Sequence, residues 1–241
     1  MNIRNIPFVI NPIRKFRSLL GQTPEVLSIQ HSRKETPGLI QDYLTQHRQE
    51  PKLQIGCQSH PFDGWLNVDI EPKAAGIAYM DATKAFPLPE NTFAYVYSEH
   101  MIEHISLDDG LYMLKECYRI MKPGGVIRLV TPNLRFLMEF YTGAKSDTQA
   151  AYKEFSKRYF KQPVLFNDAV VINNFFRDWG HKFIHDEDSL HGILKIAGFQ
   201  AIRTGSVYES EHPVLHNIEH HQLEITDAFN RLESIVVEAT K

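Results

Sequence analysis

In the stretch Leu53-Gln54-Ile55-Gly56-Cys57-Gln58-Ser59-His60, a short apolar run ends at a glycine where a turn is expected. This pattern is typical of a central strand in a parallel sheet, because glycine lets the backbone turn sharply and lets a ligand approach it closely. A second apolar run, Trp65-Leu66-Asn67-Val68, ends in Asp69, thirteen residues after Gly56. A carboxylate accepts hydrogen bonds from both hydroxyls of a ribose, so the two runs together predict a site for a ligand that contains a ribose.

The composition is that of an ordinary globular protein. Among 241 residues, 43% are hydrophobic and 23% are charged, a length that suits one large domain or one domain with an appended lid. The net charge of −3 provides no basic field, so we expect no nucleic-acid partner. The two cysteines lack the spacing of a zinc site, and no apolar run approaches the roughly 18 residues of a membrane span. These features favour a cytoplasmic protein.

The first fifty residues are expected to form a helical extension ahead of a domain over residues 51–241. Residues 11–20 fit a short helix with one apolar and one basic face. Two roles remain open for this helix: weak contact with a membrane surface, and packing against its own domain. We favour packing, because one short helix binds lipid weakly. A second helix is expected from Pro37 to His47.

Strands alternate with helices along the rest of the chain, which predicts an α/β fold with a Rossmann-like, doubly wound, mostly parallel sheet of seven strands. Too few residues separate the first two strands for a helical crossover, so their connection must shrink to a turn. Ser106 and Asp109 form a capping-box pattern at the start of a helix that Lys122-Pro123-Gly124-Gly125 ends. Residues 134–180 are helical in pattern and rich in aromatic residues, and we interpret them as an insertion or lid beside the sheet.

Polar residues follow the predicted strands at their carboxyl ends. In doubly wound sheets these ends face the ligand crevice. We therefore expect the following residues to converge on one site: Gly56, Asp69, Asp81, Ser98–His100 and Thr131–Asn133.

Five stretches of the chain resemble conserved stretches of the class I S-adenosylmethionine-dependent methyltransferases and occur in the same order as in that family. The run Gly-Trp-Leu-Asn-Val-Asp within the first is similar to a bacterial subgroup in which the first helix is also abbreviated. The Lys-Pro-Gly-Gly turn after a capped helix is the most specific single element of the resemblance. The stretches are residues 53–57 with 63–69, 81–82 with 86–89, 98–104, 119–125 and 198–199.

The resemblance implies S-adenosylmethionine as the cofactor. Gly56 and Cys57 would let the backbone approach its methionine part, Asp69 would hold the ribose hydroxyls, and Asp81 would meet the adenine edge. The full set of implied cofactor-binding residues is Gly56, Cys57, Gln58, Asp69, Ile70, Asp81, Ala82, Ser98, Glu99 and His100. Gln58 stands where a second glycine is usual, which leaves open a second hypothesis: a methyltransferase-fold binding module without catalysis.

Methyl transfer from a sulfonium is an in-line displacement, for which the protein mainly supplies alignment and a site shielded from water. By analogy with the fold, we expect a hydroxyl of a sugar or another small metabolite as the acceptor. A general base assists such an acceptor. His100 is the first candidate and His181 the next, followed by His185, with structural roles left open for all three.

Two histidine patterns raise the question of a metal ion. The run His100-Met101-Ile102-Glu103-His104 matches the H-x-x-E-H motif of zinc peptidases, in which both histidines lie on one helical face. A four-residue spacing also relates His212, His216 and His220, with His221 adjacent. Short motifs match by chance often, so we favour structural histidines in the first case, solvated histidines in the second, and no bound metal.

Overall fold

A twisted seven-stranded sheet in the order β3-β2-β1-β4-β5-β7-β6 forms the centre of the protein. The structure, a computed structural model, describes residues 24–159, 165–221 and 224–241, so the helix expected at residues 11–20 lies outside the described residues. Strands β1 to β5 pair in parallel, and β7 runs antiparallel to its neighbours β5 and β6. The strands are β1 Lys52–Ile55, β2 Leu66–Asp69, β3 Ala78–Tyr79, β4 Phe93–Glu99, β5 Met121–Pro132, β6 Gln200–Gly205 and β7 Ser234–Thr240. The predicted doubly wound α/β fold is confirmed.

Helices pack against the sheet and against one another. Turns of 3₁₀ helix lie at Ile102–His104, Lys157–Tyr159 and Pro213–Leu215. The described α-helices are α1 Pro24–Gln46, α2 Leu107–Ile120, α3 Leu134–Thr142, α4 Asp147–Ser156, α5 Asp168–Arg177, α6 Glu187–Ala197 and α7 Asp227–Glu233.

The connection from β1 to β2 is a turn, as its length predicts. Residues 56–65, all of them described, contain no helix. Both Gly56 and Cys57 donate their backbone N–H groups to the carbonyl oxygen of Val68, at 2.9 and 3.2 Å, so the turn begins as an extension of the sheet. The side chain of Gln54 donates to the carbonyl of His60 at 3.1 Å and so fixes the far side of the turn.

Helix α2 begins as predicted but is followed by a different structure. The Ser106 hydroxyl accepts the N–H of Asp109 at 3.2 Å, which confirms the N-cap. Residues 122–125, expected as a turn, instead belong to an irregular start of β5, where the register with β4 shifts. The physical reason is that Gly124, at φ +77°, donates its N–H to Lys241 at the end of β7, so the segment stays bonded to the sheet.

Helix α1 begins at Pro24, so the expected start at Pro37 is wrong. A proline lacks the N–H that a helix interior uses, which makes it a natural signal for a helix start. Here the helix continues through Pro37. Next to it, the Thr36 hydroxyl accepts the N–H of Tyr79 at 2.7 Å, and this contact fastens the helix to strand β3.

The aromatic segment 134–180 contains helices α3, α4 and α5, as its pattern predicts. Their apolar faces form a separate core that includes Phe140 and Tyr152, and Phe229 of α7 joins it. This second core lies apart from the main one beneath the sheet. The described helices of this segment therefore pack on one another and on α7, which leads directly into β7.

Candidate active site

A cavity of about 390 Å³ opens at the carboxyl ends of β1 and β4. The sheet order reverses here, because the chain from β1 proceeds to β2 on one side and reaches β4 on the other. Ligands of doubly wound sheets bind at such switch points. Gly56 and His100 lie on the sheet side of the cavity, Phe175 and Trp179 on the side of the helical segment, and His220 on a third side.

The turn after β1 has the backbone that a glycine-rich turn requires. Gly56 adopts φ +76°, and a Cβ atom at this position would lie 2.6 Å from Cγ of Met101, so no side chain fits. Gln58 adopts φ +48°, in the left-handed region that glycine usually occupies, and its side chain is exposed. Gln58 therefore follows the backbone path of the missing glycine, and it also lines the cavity. Burial raises the pKa of the Cys57 thiol to about 12, so that group is a neutral packing residue.

Asp69 is anchored and still able to accept hydrogen bonds. Its two carboxylate oxygens accept the backbone N–H groups of Gln58 and Glu71, both at 2.8 Å. Each oxygen has a second acceptor site, which suits the two hydroxyls of a ribose. The neighbouring Ile70 is an apolar side chain that is 52% exposed, so a flat apolar surface is available beside the carboxylate.

The remaining residues expected to bind the adenosine lie outside the cavity lining. Asp81 accepts both the N–H and the hydroxyl of Thr83, at 2.9 and 2.7 Å, and Ala82 is buried. Ser98 is also buried, and its hydroxyl donates to the carbonyl of Ile55 at 3.1 Å. Gly56, Cys57, Gln58, Glu99, His100 and His181 line the described cavity, whereas Asp69, Ile70, Asp81, Ala82 and Ser98 do not.

Glu99 fastens a distant loop to the end of β4. Its carboxylate accepts the backbone N–H of His220 at 2.9 Å and that of His221 at 3.1 Å. Both histidines therefore line the cavity, and the expectation that they are solvated loop residues is wrong. The reason is the bonding to Glu99, which lies 121 residues before His220 and 122 residues before His221. The spacing of histidines within the loop does not reveal a contact with so distant a residue. His212 and His216 remain outside the cavity lining.

His100 lies in a strained and highly connected position directly after β4. Its backbone has φ +46°, which costs a residue with a Cβ about 1–2 kcal/mol. Its Nδ1 is 3.2 Å from Oε1 of Glu103, and its Nε2 is 3.3 Å from Oγ of Ser234. Burial lowers its pKa, but the hydrogen bond to Glu103 and the charges of Glu103 and Glu233 outweigh burial and raise it. Strain of this kind is concentrated at functional sites.

Glu103 is completely buried and is nevertheless ionised. Burial raises its pKa, but the hydrogen bond from His100 and the charges of His100 and His104 bring it down to about 2. The hydroxyl of Thr131, from the end of β5, donates to its Oε2 at 2.9 Å. The carboxylate is thus fixed in orientation, which suits a group that orients an imidazole.

The other two candidate bases have different surroundings. His181 lines the cavity, and its Nδ1 is 2.6 Å from the carbonyl of Phe175. Burial lowers the pKa of His181. His185 is 1% exposed, lies outside the cavity lining and packs against Ser189, and burial lowers its pKa to about 4. The structure therefore brings His100 and His181 together and leaves His185 in the protein interior.

The helical interpretation of the H-x-x-E-H motif is wrong. Only Ile102–His104 form a turn of 3₁₀ helix, and His100 precedes it in a left-handed conformation. The two histidines of the motif therefore do not share a helical face. Instead, His100 groups with His221 and Glu233, and His104 groups with Glu103 and His181.

Glu233, which lines the cavity, and Ser234 beside it were not predicted from the sequence. Glu233 accepts from Nε2 of His221 at 2.9 Å and from the hydroxyl of Tyr152. Glu233 directly precedes Ser234, the first residue of β7. Because β7 runs antiparallel to β5, the start of β7 lies at the same edge of the sheet as the end of β5. Only knowledge that β7 is antiparallel would have pointed to it.

Part of the chain is similar to known methyltransferases. Residues 62–129 match a family model described as a methyltransferase domain. A probable S-adenosylmethionine-dependent methyltransferase of Mycolicibacterium smegmatis is 29% identical over 99 residues, which are 34% of this chain and 37% of that protein. The match thus spans little more than a third of the relative's length.

Solved structures of methyltransferases are similar over most of the chain. A SAM-dependent methyltransferase from Archaeoglobus fulgidus has a TM-score of 0.47 and 17% identity, with 95% of this chain and 99% of that chain covered. One from Mesorhizobium loti has a TM-score of 0.48 and 16% identity, with 86% and 97% covered.

The sheet order and the cavity at its switch point define the class of protein: a Rossmann-like, doubly wound α/β protein with a cavity where such sheets bind their ligands. More narrowly, the part of the chain around β2, β4 and α2 is similar to methyltransferase domains, and part of the chain is similar to a probable S-adenosylmethionine-dependent methyltransferase. None of the helices in the described ranges combines the length and apolar character needed to cross a membrane.

The residues present fit S-adenosylmethionine as the cofactor. The left-handed turn at Gly56 and Gln58 leaves the backbone open to a ligand, and Asp69 keeps acceptor sites for a diol. The carboxylates of Glu99, Glu103 and Glu233 add negative charge around the cavity, which is complementary to a sulfonium cation.

Proposed function

We propose that this chain transfers a methyl group from S-adenosylmethionine to a hydroxyl of a small acceptor such as a sugar, with His100 as the general base. One observation carries the proposal: a strained histidine, paired with a buried and ionised Glu103, faces the cavity at the switch point of the sheet. Catalytic bases are commonly held in this way by a carboxylate that fixes the ring.

The cofactor residues in this proposal follow the resemblance. Gly56, Cys57 and Gln58 face the methionine part with their backbone, and Asp69 holds the ribose. Asp81, Ala82 and the exposed Ile70 surround the adenine, with Ser98 and Glu99 supporting the floor. In support, the N–H of Gln58 is bonded to Asp69 at 2.8 Å, so the turn and the ribose-binding acid form one unit.

The bound cofactor supplies a methyl group already activated by the positive charge of its sulfonium. With Nδ1 of His100 donating to Glu103, Nε2 is the atom that takes the proton of the acceptor hydroxyl, after the ring has lost the proton that Nε2 shares with Oγ of Ser234. S-adenosylmethionine, held by the turn at Gly56 and Gln58 and by Asp69, would supply the methyl group to the acceptor oxygen and leave as S-adenosylhomocysteine. General base catalysis contributes about 10²- to 10⁴-fold to such a reaction. His181 is the alternative base, because it shares the cavity.

The helical segment 134–180 serves as the lid in this proposal. Tyr152, Tyr159, Phe175 and Trp179 provide an aromatic wall opposite the sheet. Such a wall excludes water from the reacting atoms and offers flat surfaces on which a sugar ring packs. The hypothesis of a non-catalytic binding module depended on Gln58, and the glycine-like φ of that residue removes the reason for it.

The test uses His100→Asn, since asparagine tolerates the left-handed conformation that this position requires. We expect turnover to fall about 10²- to 10⁴-fold. Binding of S-adenosylhomocysteine, measured by calorimetry, should stay nearly unchanged, because the proposal does not place the imidazole ring of His100 against the ribose or the adenine. Equal losses of turnover and binding would remove His100 as the base. If the wild-type chain bound neither S-adenosylmethionine nor S-adenosylhomocysteine, the enzymatic function itself would be refuted.

A further inference from the structure

Glu103, His104 and His181 bring three metal-ligating groups together in the cavity. One ligand atom from each lies within 4.8 Å of the others, and all three residues line the cavity. We propose that these residues bind a divalent first-row transition-metal cation, which holds the oxygen atoms of the acceptor substrate. The role of the cation toward the acceptor rests on the methyl-transfer function proposed above, whereas the binding of the cation does not.

The ring atoms needed for ligation are available. The carbonyl of Phe175 can only accept, so Nδ1 of His181, at 2.6 Å, must carry a proton and Nε2 must carry a lone pair. A histidine that binds a metal typically donates its other ring N–H to a carbonyl in this manner. Within the described ranges, neither ring nitrogen of His104 makes a hydrogen bond, although its ring is 4.9 Å from that of His181.

The backbone holds the two histidines against each other. The carbonyl of Glu103 accepts the N–H groups of Lys182 and Phe183, at 2.7 and 3.2 Å, so the loop after His181 is bonded to the turn that carries His104. Gly180, at φ +83°, completes the turn, and a Cβ added there would lie 3.7 Å from Nδ1 of His104. The donor atoms therefore belong to a framework that exists before a cation binds, as a metal site requires.

The carboxylate is oriented by a second set of contacts. Thr131 donates to its Oε2 at 2.9 Å, and His100 lies 3.2 Å from its Oε1. Carboxylate ligands in metal sites are commonly fixed by hydrogen bonds of this kind. The carboxylate of Glu103 consequently joins the proposed base and the proposed cation, so a hydroxyl bound to the cation would lie in the same cavity as His100.

A neighbouring group of similar composition is less suited to bind a cation. His100, His221 and Glu233 also place ligand atoms within 4.8 Å of one another. However, Nε2 of His221 is already bonded to Glu233 at 2.9 Å, and both ring nitrogens of His100 have partners. A cation would have to break these bonds, whereas no hydrogen bond from another described residue occupies His104 or Nε2 of His181.

The donor set indicates the class of ion. Two imidazoles and one carboxylate suit Zn²⁺, Mn²⁺, Fe²⁺ or Co²⁺, and three protein ligands leave positions open for a substrate. A bound cation lowers the pKa of a hydroxyl that coordinates it, which eases transfer of its proton. A substrate with two neighbouring oxygens, such as a vicinal diol, fills two open positions at once and is thereby oriented.

The test measures cation binding directly. The full chain is stripped of metal with a chelator, dialysed and titrated separately with Zn²⁺, Mn²⁺ and Co²⁺ in a calorimeter, with metal content determined after gel filtration. We expect one equivalent of at least one of these ions per wild-type chain. His104→Gln and His181→Gln should each weaken binding at least about tenfold, since even the loss of an outer contact costs a metal site about that much.

Two matched variants act as controls. His216→Gln removes an exposed histidine outside the cavity and should leave binding unchanged. His221→Gln removes a ligand of the neighbouring group and should also retain the cation. Loss of the cation in His221→Gln with retention in His181→Gln would overturn the proposal in favour of that group.

A measurement on the wild-type protein covers the case in which a variant fails to fold. In a chain labelled with ¹⁵N-histidine, Zn²⁺ should shift the ring resonances of two histidines and leave the other ring resonances in place. No shift and no retained metal would refute the cation site. Calorimetry with S-adenosylhomocysteine runs in parallel: cofactor binding without metal binding overturns this inference alone, and metal binding without cofactor binding overturns only the proposed function.

Discussion

Replacement of Asp69 by asparagine tests the link between the β1 turn and the cofactor. The carboxylate accepts two backbone N–H groups, from Gln58 and Glu71, each at 2.8 Å and each on a different oxygen. An asparagine amide has one accepting oxygen, so one of these N–H groups would face the amide NH₂. We expect the free protein to lose about 1–3 kcal/mol, the cost of an unpaired polar group. Its melting temperature should fall by about 2–4 °C for each kcal/mol.

Cofactor affinity should fall further, because the ribose loses a charged acceptor. A hydrogen bond to a charged group contributes about 1.5–3 kcal/mol, so the dissociation constant of S-adenosylhomocysteine should rise roughly 10- to 150-fold. The assay is isothermal calorimetry on wild type and Asp69→Asn, each with S-adenosylhomocysteine and with its 2′-deoxy analogue. The analogue lacks one of the two hydroxyls and should show a smaller effect of the substitution. Identical losses for both ligands would refute the assignment of Asp69 to the ribose.

Two further predictions concern stability. Arg128 is completely buried and forms ion pairs with Glu219 and Glu238. Arg128→Met would leave the buried carboxyl of Glu219 without its ion-pair partner. The free energy of unfolding, measured in urea titrations, should therefore fall by about 3–5 kcal/mol. The double variant with Glu219→Gln should recover part of that loss, and no recovery would contradict the reasoning. His185 has a folded-state pKa of about 4, below the roughly 6.5 of an unfolded histidine, so the unfolded state binds more protons between these values. As the pH falls through that window, the wild type should lose about 3 kcal/mol relative to His185→Gln, and equal slopes of stability against pH for the two proteins would refute the assigned pKa.

Local signals were sufficient for the elements of the fold. The Ser106 cap, the end of α6 at Gly198 and the short turn after Gly56 all depend on residues within a few positions of each other, and the structure confirms each one. Pro37 shows the limit of such signals, since the helix around it is fastened by a contact with strand β3. The sequence of one segment does not show the contacts that a distant segment makes with it, and such contacts can stabilise a helix through a proline.

The cavity could be placed from the sequence only on the side that parallel strands form. The ends of β1 and β4 are predictable, and with them Gly56 and His100, because every parallel strand contributes its carboxyl end to the same edge. Ser234 reaches His100 from 134 positions away, since β7 runs antiparallel and begins at that edge. The direction of β7 is not encoded in its apolar run, which would look the same in a parallel strand. The second half of the site, including the position of His221, could therefore not be predicted until the pairing of β5 with β7 was known, and this half adds the charge of Glu233 to the larger effect of Glu103 in raising the pKa of His100.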